Sequence, residues 1–244
     1  MTDYLAAVTA RARPYAAAVE PLTRMLHSSG ARHIRDLCSG AGGPWPGLLP
    51  TLSASVPGLS LELSDAYPNA SALAQFPPGS RVTYRGSALR ATDALPHDGS
   101  ATTLFSALHH FQPVDAKRIL RNAAEAQSPI AIFEATHRSP LALLSMCLVP
   151  IVVLFVTPLI RPFRWWRLLF TYVVPVLPIA IWWDGFVSCM RTYTRDELLA
   201  MTSSIDAGDM AWTCEEVRGA GQPLPMTLLI GIPASRTSKQ APTL

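Results

Sequence analysis

Apolar and polar positions along this chain follow three successive rhythms. From about residue 30 to 137, short apolar runs alternate with amphipathic or turn-rich stretches. The runs 33–37, 60–64, 81–85, 101–106 and 129–134 read as strands, because each is brief and bounded by Gly, Pro, Asp or Ser. Between them, 69–75 and 114–126 read as helices. In the second, Ile119, Leu120 and Ala123 share one side, while Lys117, Arg118 and Arg121 lie elsewhere. Strands alternating with helices predict a parallel sheet with right-handed crossovers.

From 141 to 183 the alternation stops. Leu141 to Ile160 is twenty residues without a charge. As a helix it would measure about 30 Å, the thickness of a bilayer core. Arg161-Pro162-Phe163-Arg164-Trp165-Trp166-Arg167 follows, then a second uncharged run from Leu168 to Trp183. That run gives only about 24 Å of helix, short of a span. Pro150, Pro158, Pro175 and Pro178 interrupt both runs. A two-span hairpin would carry the arginines to the far side, against the positive-inside tendency. An insertion into one leaflet is the preferred reading, with arginines and tryptophans at headgroup level. The hairpin, and a buried soluble subdomain or oligomer interface, stay as alternatives.

From 194 the first rhythm returns. Thr194 with Glu197 three residues on makes a capping box at a helix start. Residues 210–217 and 226–232 read as two strands joined through Gly219 to Pro225, an antiparallel hairpin. Residues 3–28 are alanine-rich, punctuated by Pro14 and Pro21, and read as one or two helices that pack on the sheet or cap a pocket. The polar stretch 233–244 is expected to be disordered. The expected divisions are 1–140, an N-terminal helical part and nucleotide-binding α/β core; 141–183, the hydrophobic insert; 184–232, completion of the α/β domain; and 233–244, the tail.

Composition sharpens this picture at two points. The chain has 244 residues, enough for one α/β domain with an appendage. Only 15% of residues are charged, against about 25% in soluble domains, so part of the chain is expected not to face water. A net charge of +3, without a basic run, gives no support for a nucleic-acid partner. Cys38, Cys147, Cys189 and Cys214 form no C-x-x-C pair, so neither a metal site nor a disulfide framework is expected. The scattered cysteines fit a reducing compartment, and residues 1–4 lack the basic and apolar regions of a signal peptide; because the α/β pattern resumes after the insert, both flanks are expected on the cytoplasmic side.

The candidate chemistry begins at Ile34-Arg35-Asp36-Leu37-Cys38-Ser39-Gly40-Ala41-Gly42. A strand runs into an acid and then a turn with Gly40, Gly42 and Gly43. Glycine admits positive φ and close approach of a ligand to the backbone. Some 23 residues after Gly42, Asp65 closes the second strand, where an acid can bind ribose hydroxyls. A dinucleotide would ask for a third glycine and an open helix N-terminus for its pyrophosphate. Here Pro44 and Pro46 crowd the place where that helix should open.

At these residues the chain resembles class I S-adenosylmethionine-dependent methyltransferases. Asp36-Leu37-Cys38-Ser39-Gly40-Ala41-Gly42 matches their first motif and Leu63-Ser64-Asp65 their second. Gly86-Ser87-Ala88 stands after the third strand, and Leu104 to Phe111 looks like their fourth strand and following loop. The resemblance covers roughly 30–137 and resumes at 184–232. Cys38 replaces a usual glycine, and Ser87 stands where an adenine-contacting acid is common. It implies a Rossmann-like seven-stranded sheet closed by the C-terminal antiparallel pair. It also implies S-adenosylmethionine bound by Asp36, Cys38, Gly40, Gly42 and Asp65, with Ser87, Ala88 and Ser106 at the adenine and methionine ends.

Methyl transfer needs alignment of nucleophile and methyl, and a base where the acceptor is a hydroxyl. His109 and His110 follow the fourth strand and Glu134 ends the fifth, so all three are candidate catalytic residues. A structural role is the alternative for each, Glu134 pairing with Arg138. Asp184 and Arg191 return the chain from the insert to the site and are candidate substrate-binding residues, or a salt bridge. The combined expectation is a membrane-associated methyltransferase acting on a lipophilic small molecule, with membrane lipid as its second partner. Two alternatives remain open: a nucleotide-dependent oxidoreductase, and a non-catalytic membrane-anchored binding protein on the same fold.

Overall fold

The computed structural model describes residues 15–160, 163–219 and 224–234. Seven strands form one sheet: β1 (His33–Leu37), β2 (Ser60–Leu63), β3 (Val82–Tyr84), β4 (Ala101–Phe105), β5 (Ile130–Glu134), β6 (Met210–Val217) and β7 (Met226–Pro233). Their spatial order is β3-β2-β1-β4-β5-β7-β6. The first five run parallel; β7 is antiparallel to β5, and β6 to β7. The expected parallel sheet and closing hairpin are both present. The strand order reverses between β1 and β4, and such a switch point opens a crevice at the carboxyl ends of the strands.

Side-chain alternation explains how helices cover both faces. In β5, Ala131 and Phe133 join a core with Leu22, Met25, Leu26, Trp45 and Leu52. These come from α1 (Val19–Ser29) and α2 (Trp45–Ser55). Ile130 and Ile132 of the same strand point the other way. They join a core with Ile119 and Leu120 from α3 (Pro113–Glu125). A strand buried on both faces is what a central parallel strand requires.

Pro44 and Pro46 do not block the helix after the first turn. Pro46 sits in the opening turn of α2, where an amide hydrogen has no helical acceptor to lose. The expected helices at 3–28 are a short 3-10 turn, Ala16–Ala18, running into α1; residues 3–14 lie outside the described residues. So does the tail from 235 onward.

The insert is helical throughout most of its length. Ser139 caps α4 (Pro140–Met146) by accepting from the Ala142 amide, and α5 (Val149–Val156) and a 3-10 turn (Thr157–Leu159) continue it. Pro140–Leu159 is long and apolar enough to cross a membrane. The next helix, α6 (Trp165–Leu168), runs through a π-helical turn (Leu169–Val173) and meets α7 (Val176–Arg191) at a 77° bend. α7 crosses position 183 without a break and packs on α4 and α5. Among the described residues of the insert, a small core is built of Val153 and Ile160, with Val149, Val156, Leu177 and Ile181 packed against it. Among the described residues, all but two of the large exposed hydrophobic side chains, Tyr67 and Val114, fall between Leu141 and Met190. Of the arginines expected at headgroup level, Arg164 is exposed, whereas Arg167 is buried with its guanidinium 5.6 Å from the Trp166 ring centre. Arg161 lies outside the described residues. The last helix, α8 (Arg195–Ser203), starts with the expected Thr194–Glu197 capping box.

Candidate active site

The turn after β1 takes the backbone shape its glycines suggest. Gly40, Gly42 and Gly43 have φ of 50°, 97° and 50°. Cys38 adopts the same left-handed conformation, at 58°. A non-glycine residue in that conformation carries a cost of about 1 kcal/mol. Hydrogen bonds on every side hold the turn. The Ser39 hydroxyl donates to Asp36 Oδ2 (2.7 Å) and the Ser39 amide to the Ser64 carbonyl (2.9 Å). The Gly40 amide donates to Asp65 Oδ2 (2.9 Å), and the Tyr84 hydroxyl to the Gly40 carbonyl (3.0 Å).

Asp36 is buried beneath this turn and does not line the cleft. Its other oxygen accepts from the Thr103 hydroxyl on β4 (2.7 Å), so one carboxylate ties the first turn to the neighbouring strand. The Trp45 indole lies beside it and favours its ionised form, without hydrogen-bond geometry. Desolvation outweighs these partners and pushes the Asp36 carboxyl up to about 6. Folding therefore favours the protonated acid. That stability is complete below about pH 4 and is lost as pH rises through 6. From the ordinary 3.8 to about 6 the contribution is on the order of 3 kcal/mol. Relative to Asp36→Asn, the wild type should lose about that much stability between pH 4 and 7.5, measured by urea unfolding.

An open cleft of about 630 Å³ lies outside the carboxyl ends of β1–β3. Cys38, Asp65 and Ala88, three of the expected cofactor contacts, line it. Ser87, beside them, is exposed. Gly40 and Gly42, in the same turn as Cys38, and Ser106, directly after β4, do not line the cleft. Ser106 has φ 44°; its hydroxyl meets the Tyr15 hydroxyl at 2.7 Å and accepts from the Ala135 amide. Burial pushes the Tyr15 phenol up to about 12. Sequence reasoning missed Tyr15, and it missed Tyr67, Arg90, Thr92, Phe111, Asp115 and Arg118 of the cleft wall. One signal was available for two of these: Asp115 and Arg118 are three apart on α3, hence on one face.

The loop after β4 brings the other candidates together. His109 Nδ1 lies 2.6 Å from Glu134 Oε2, and Glu134 Oε1 accepts the Leu108 amide at 2.7 Å. Both side chains are buried. Glu134 thus pairs with His109, not with Arg138, which pairs with Glu197 at 2.5 Å. The sheet order places the end of β5 beside the loop after β4, whereas Arg138 lies beyond, facing α8. His110 is exposed, its ring centre 4.3 Å from that of His109. Partial desolvation, then the His109 ring, lower its pKa, while Asp184 acts in the opposite sense. Arg191 Nη2 donates to the His110 carbonyl at 2.9 Å. Asp184 and Arg191, both on α7, therefore reach the rim beside His110 and do not form a salt bridge with each other.

No family model matches this sequence, and neither does any curated protein. Solved structures do match. The O-methyltransferase NcsB1 from neocarzinostatin biosynthesis, in complex with S-adenosylmethionine and 2-hydroxy-5-methyl naphthoic acid, aligns with a TM-score of 0.53 at 16% identity, covering 95% of this chain and 56% of that one. The mitomycin 7-O-methyltransferase MmcR aligns at 0.51 and 15% identity, covering 87% of this chain and 53% of that one. The methyltransferase domain of bacterial CtHen1-CN aligns at 0.51 and 11% identity, covering 88% and 97%. The chain spans just over half the length of the first two. The likeness establishes the fold, a Rossmann-like methyltransferase fold.

Proposed function

We propose that this protein transfers a methyl group from S-adenosylmethionine to a lipophilic small-molecule acceptor at a membrane surface. The observation that carries the reading is the positive-φ turn Cys38–Gly43, hydrogen-bonded to Asp65 and opening on the cleft at the switch point of the sheet. The residues fit the cofactor. Each Asp65 oxygen accepts one backbone amide, from Gly40 or Tyr67, and retains a lone pair for a ribose hydroxyl. Pro44 and Pro46 remove two amide donors from the start of α2, which suits a phosphate-free cofactor better than a pyrophosphate. Cys38 and Ala88 wall the adenosine end, Ser87 stands at its rim, and Gly40, Gly42 and Ser106 border the path to the methionine end. Asp36 acts from below by holding the turn.

Bound S-adenosylmethionine supplies an electrophilic methyl group, and the protein supplies alignment and removal of a proton. Glu134 accepts from His109 Nδ1–H and so sets the tautomer that leaves the Nε2 lone pair free. His109 is the proposed base for a hydroxyl acceptor, and Glu134 its positioning residue. His110, Asp184 and Arg191 form a polar rim for the acceptor's head. NcsB1 was solved with a hydroxylated naphthoic acid, and an aromatic hydroxyl acceptor suits the same arrangement.

The insert leaves the core just after β5 and returns through α7 to the His110 carbonyl. Its apolar exposure would be costly in water, at about 25 cal/mol per Å². The 77° bend between α6 and α7 suits an arm that dips into one leaflet, with the catalytic domain on the cytoplasmic face. The acceptor then reaches the site from the bilayer. Protein carrying Leu148→Asp and Phe155→Asp, both exposed in the wild type, should lose most of its co-flotation with phospholipid vesicles while keeping cofactor binding. Unchanged flotation would remove the membrane from this reading.

Calorimetric titration of detergent-purified protein tests the cofactor. Micromolar binding of S-adenosylmethionine, without binding of a nicotinamide dinucleotide, is the expected result. The reverse selectivity would identify an oxidoreductase, and binding of neither would point to a non-catalytic protein on this fold.

A further inference from the structure

The segment from Gly86 to Gly99 contains no helix or strand, yet it supplies Ala88, Arg90, Ala91 and Thr92 to the cleft wall. A wall without regular structure needs other support, because an unsupported loop would order only on ligand binding and weaken it. The structure supports this one at three places. Before it, Arg85 Nε donates to Glu62 Oε1 (2.5 Å). Near its far end, Asp98 Oδ2 accepts from Arg35 Nη2 (2.9 Å), and the same Nη2 reaches Glu62 Oε2 (3.3 Å). Arg35 is buried on β1, and the Glu62 side chain on β2 is only 15% exposed. The two ends of the segment are thus tied to one inner pair of charges.

The third support is at the middle. Asn122 Nδ2 donates to the Thr92 carbonyl and to the Asp93 carbonyl, each at 2.9 Å. Both amide hydrogens are used on consecutive carbonyls of a turn that Asp93 also closes, by accepting from the Arg90 amide. Asn122 lies on α3 four and seven residues after Arg118 and Asp115, so the helix face that lines the cleft also grips its wall.

We infer that Asn122 is a positioning residue for the cofactor cleft: by holding the Thr92–Asp93 turn to α3 it preforms the wall from Ala88 to Thr92. The inference rests on the methyltransferase reading of the cleft, but its structural half does not. Two measurements on the full chain separate them. Asn122→Asp keeps the shape and replaces both donors with an acceptor facing two carbonyls. Ligand-free amide exchange should accelerate across 89–95 in this variant and stay unchanged in β1 and β5. Its Kd for S-adenosylmethionine should rise about tenfold, the loss of one or two net hydrogen bonds, while kcat at saturating cofactor changes less than about threefold. Asn122→Ser, which keeps one shorter donor, should fall between. Unchanged exchange over 89–95 overturns the inference, as does faster exchange with an unchanged Kd. A wild type that binds no S-adenosylmethionine, with exchange still accelerated in the variant, overturns the cofactor reading alone.

Discussion

His109→Gln should produce a folded protein that binds S-adenosylmethionine within about threefold of wild type but turns over about 10²- to 10⁴-fold more slowly, the range for removal of a positioned base. Glutamine is the informative replacement, because its amide can still donate to the buried Glu134 carboxylate. His109→Ala would leave one oxygen of that buried carboxylate without a donor, at a cost of about 1–3 kcal/mol, and confuse lost chemistry with lost stability. The separation is read from kcat in single-turnover assays with an aromatic hydroxyl acceptor, beside cofactor titration. Normal turnover in His109→Gln would leave the His109–Glu134 pair a structural tie between β4 and β5.

Asp65→Ala carries the second large effect, and it falls on binding instead of turnover. The wild-type carboxylate holds the Gly40 amide and the Tyr67 amide and has capacity left for two hydroxyls. Charge-assisted hydrogen bonds contribute about 1.5–3 kcal/mol each. The expected rise in Kd for S-adenosylmethionine is therefore on the order of 10²- to 10⁴-fold, measured by calorimetry. A Kd within about threefold of wild type would show that the ribose lies elsewhere. The contrast between the variants is the useful part: His109 should move kcat and leave Kd, whereas Asp65 should move Kd first.

Cys38 takes a backbone conformation that favours glycine. The chain keeps a left-handed residue there and places a small side chain against the cleft. Burial, then the nearby Asp65 and Asp36, push its thiol up to about 12, so it stands in the wall as a neutral group.

Sequence alone located the strands and set the fold class, but it named no helix at Trp45–Ser55. Strand and helix periods are local properties, and they located all seven strands, α3 and the capping box of α8. The glycine turn and Asp65 were legible for the same reason: positive φ and a strand-terminal acid are written in adjacent residues. The apolar stretch was legible from its length, since no charged residue interrupts the twenty positions from Leu141 to Ile160. Tertiary structure decided which side chains meet. Glu134 takes His109, 25 residues away, and Arg138 takes Glu197, 59 residues away, because strand order and not sequence distance sets neighbours. The burial of Asp36 beneath its own turn follows from packing between β1 and β4. The grip of Asn122 on Thr92 and Asp93 follows from α3 lying over a segment that has no periodicity to read. Local patterns record the preferences of the backbone; the pairing of charges and amides depends on which surfaces the folded sheet brings within about 3 Å of each other.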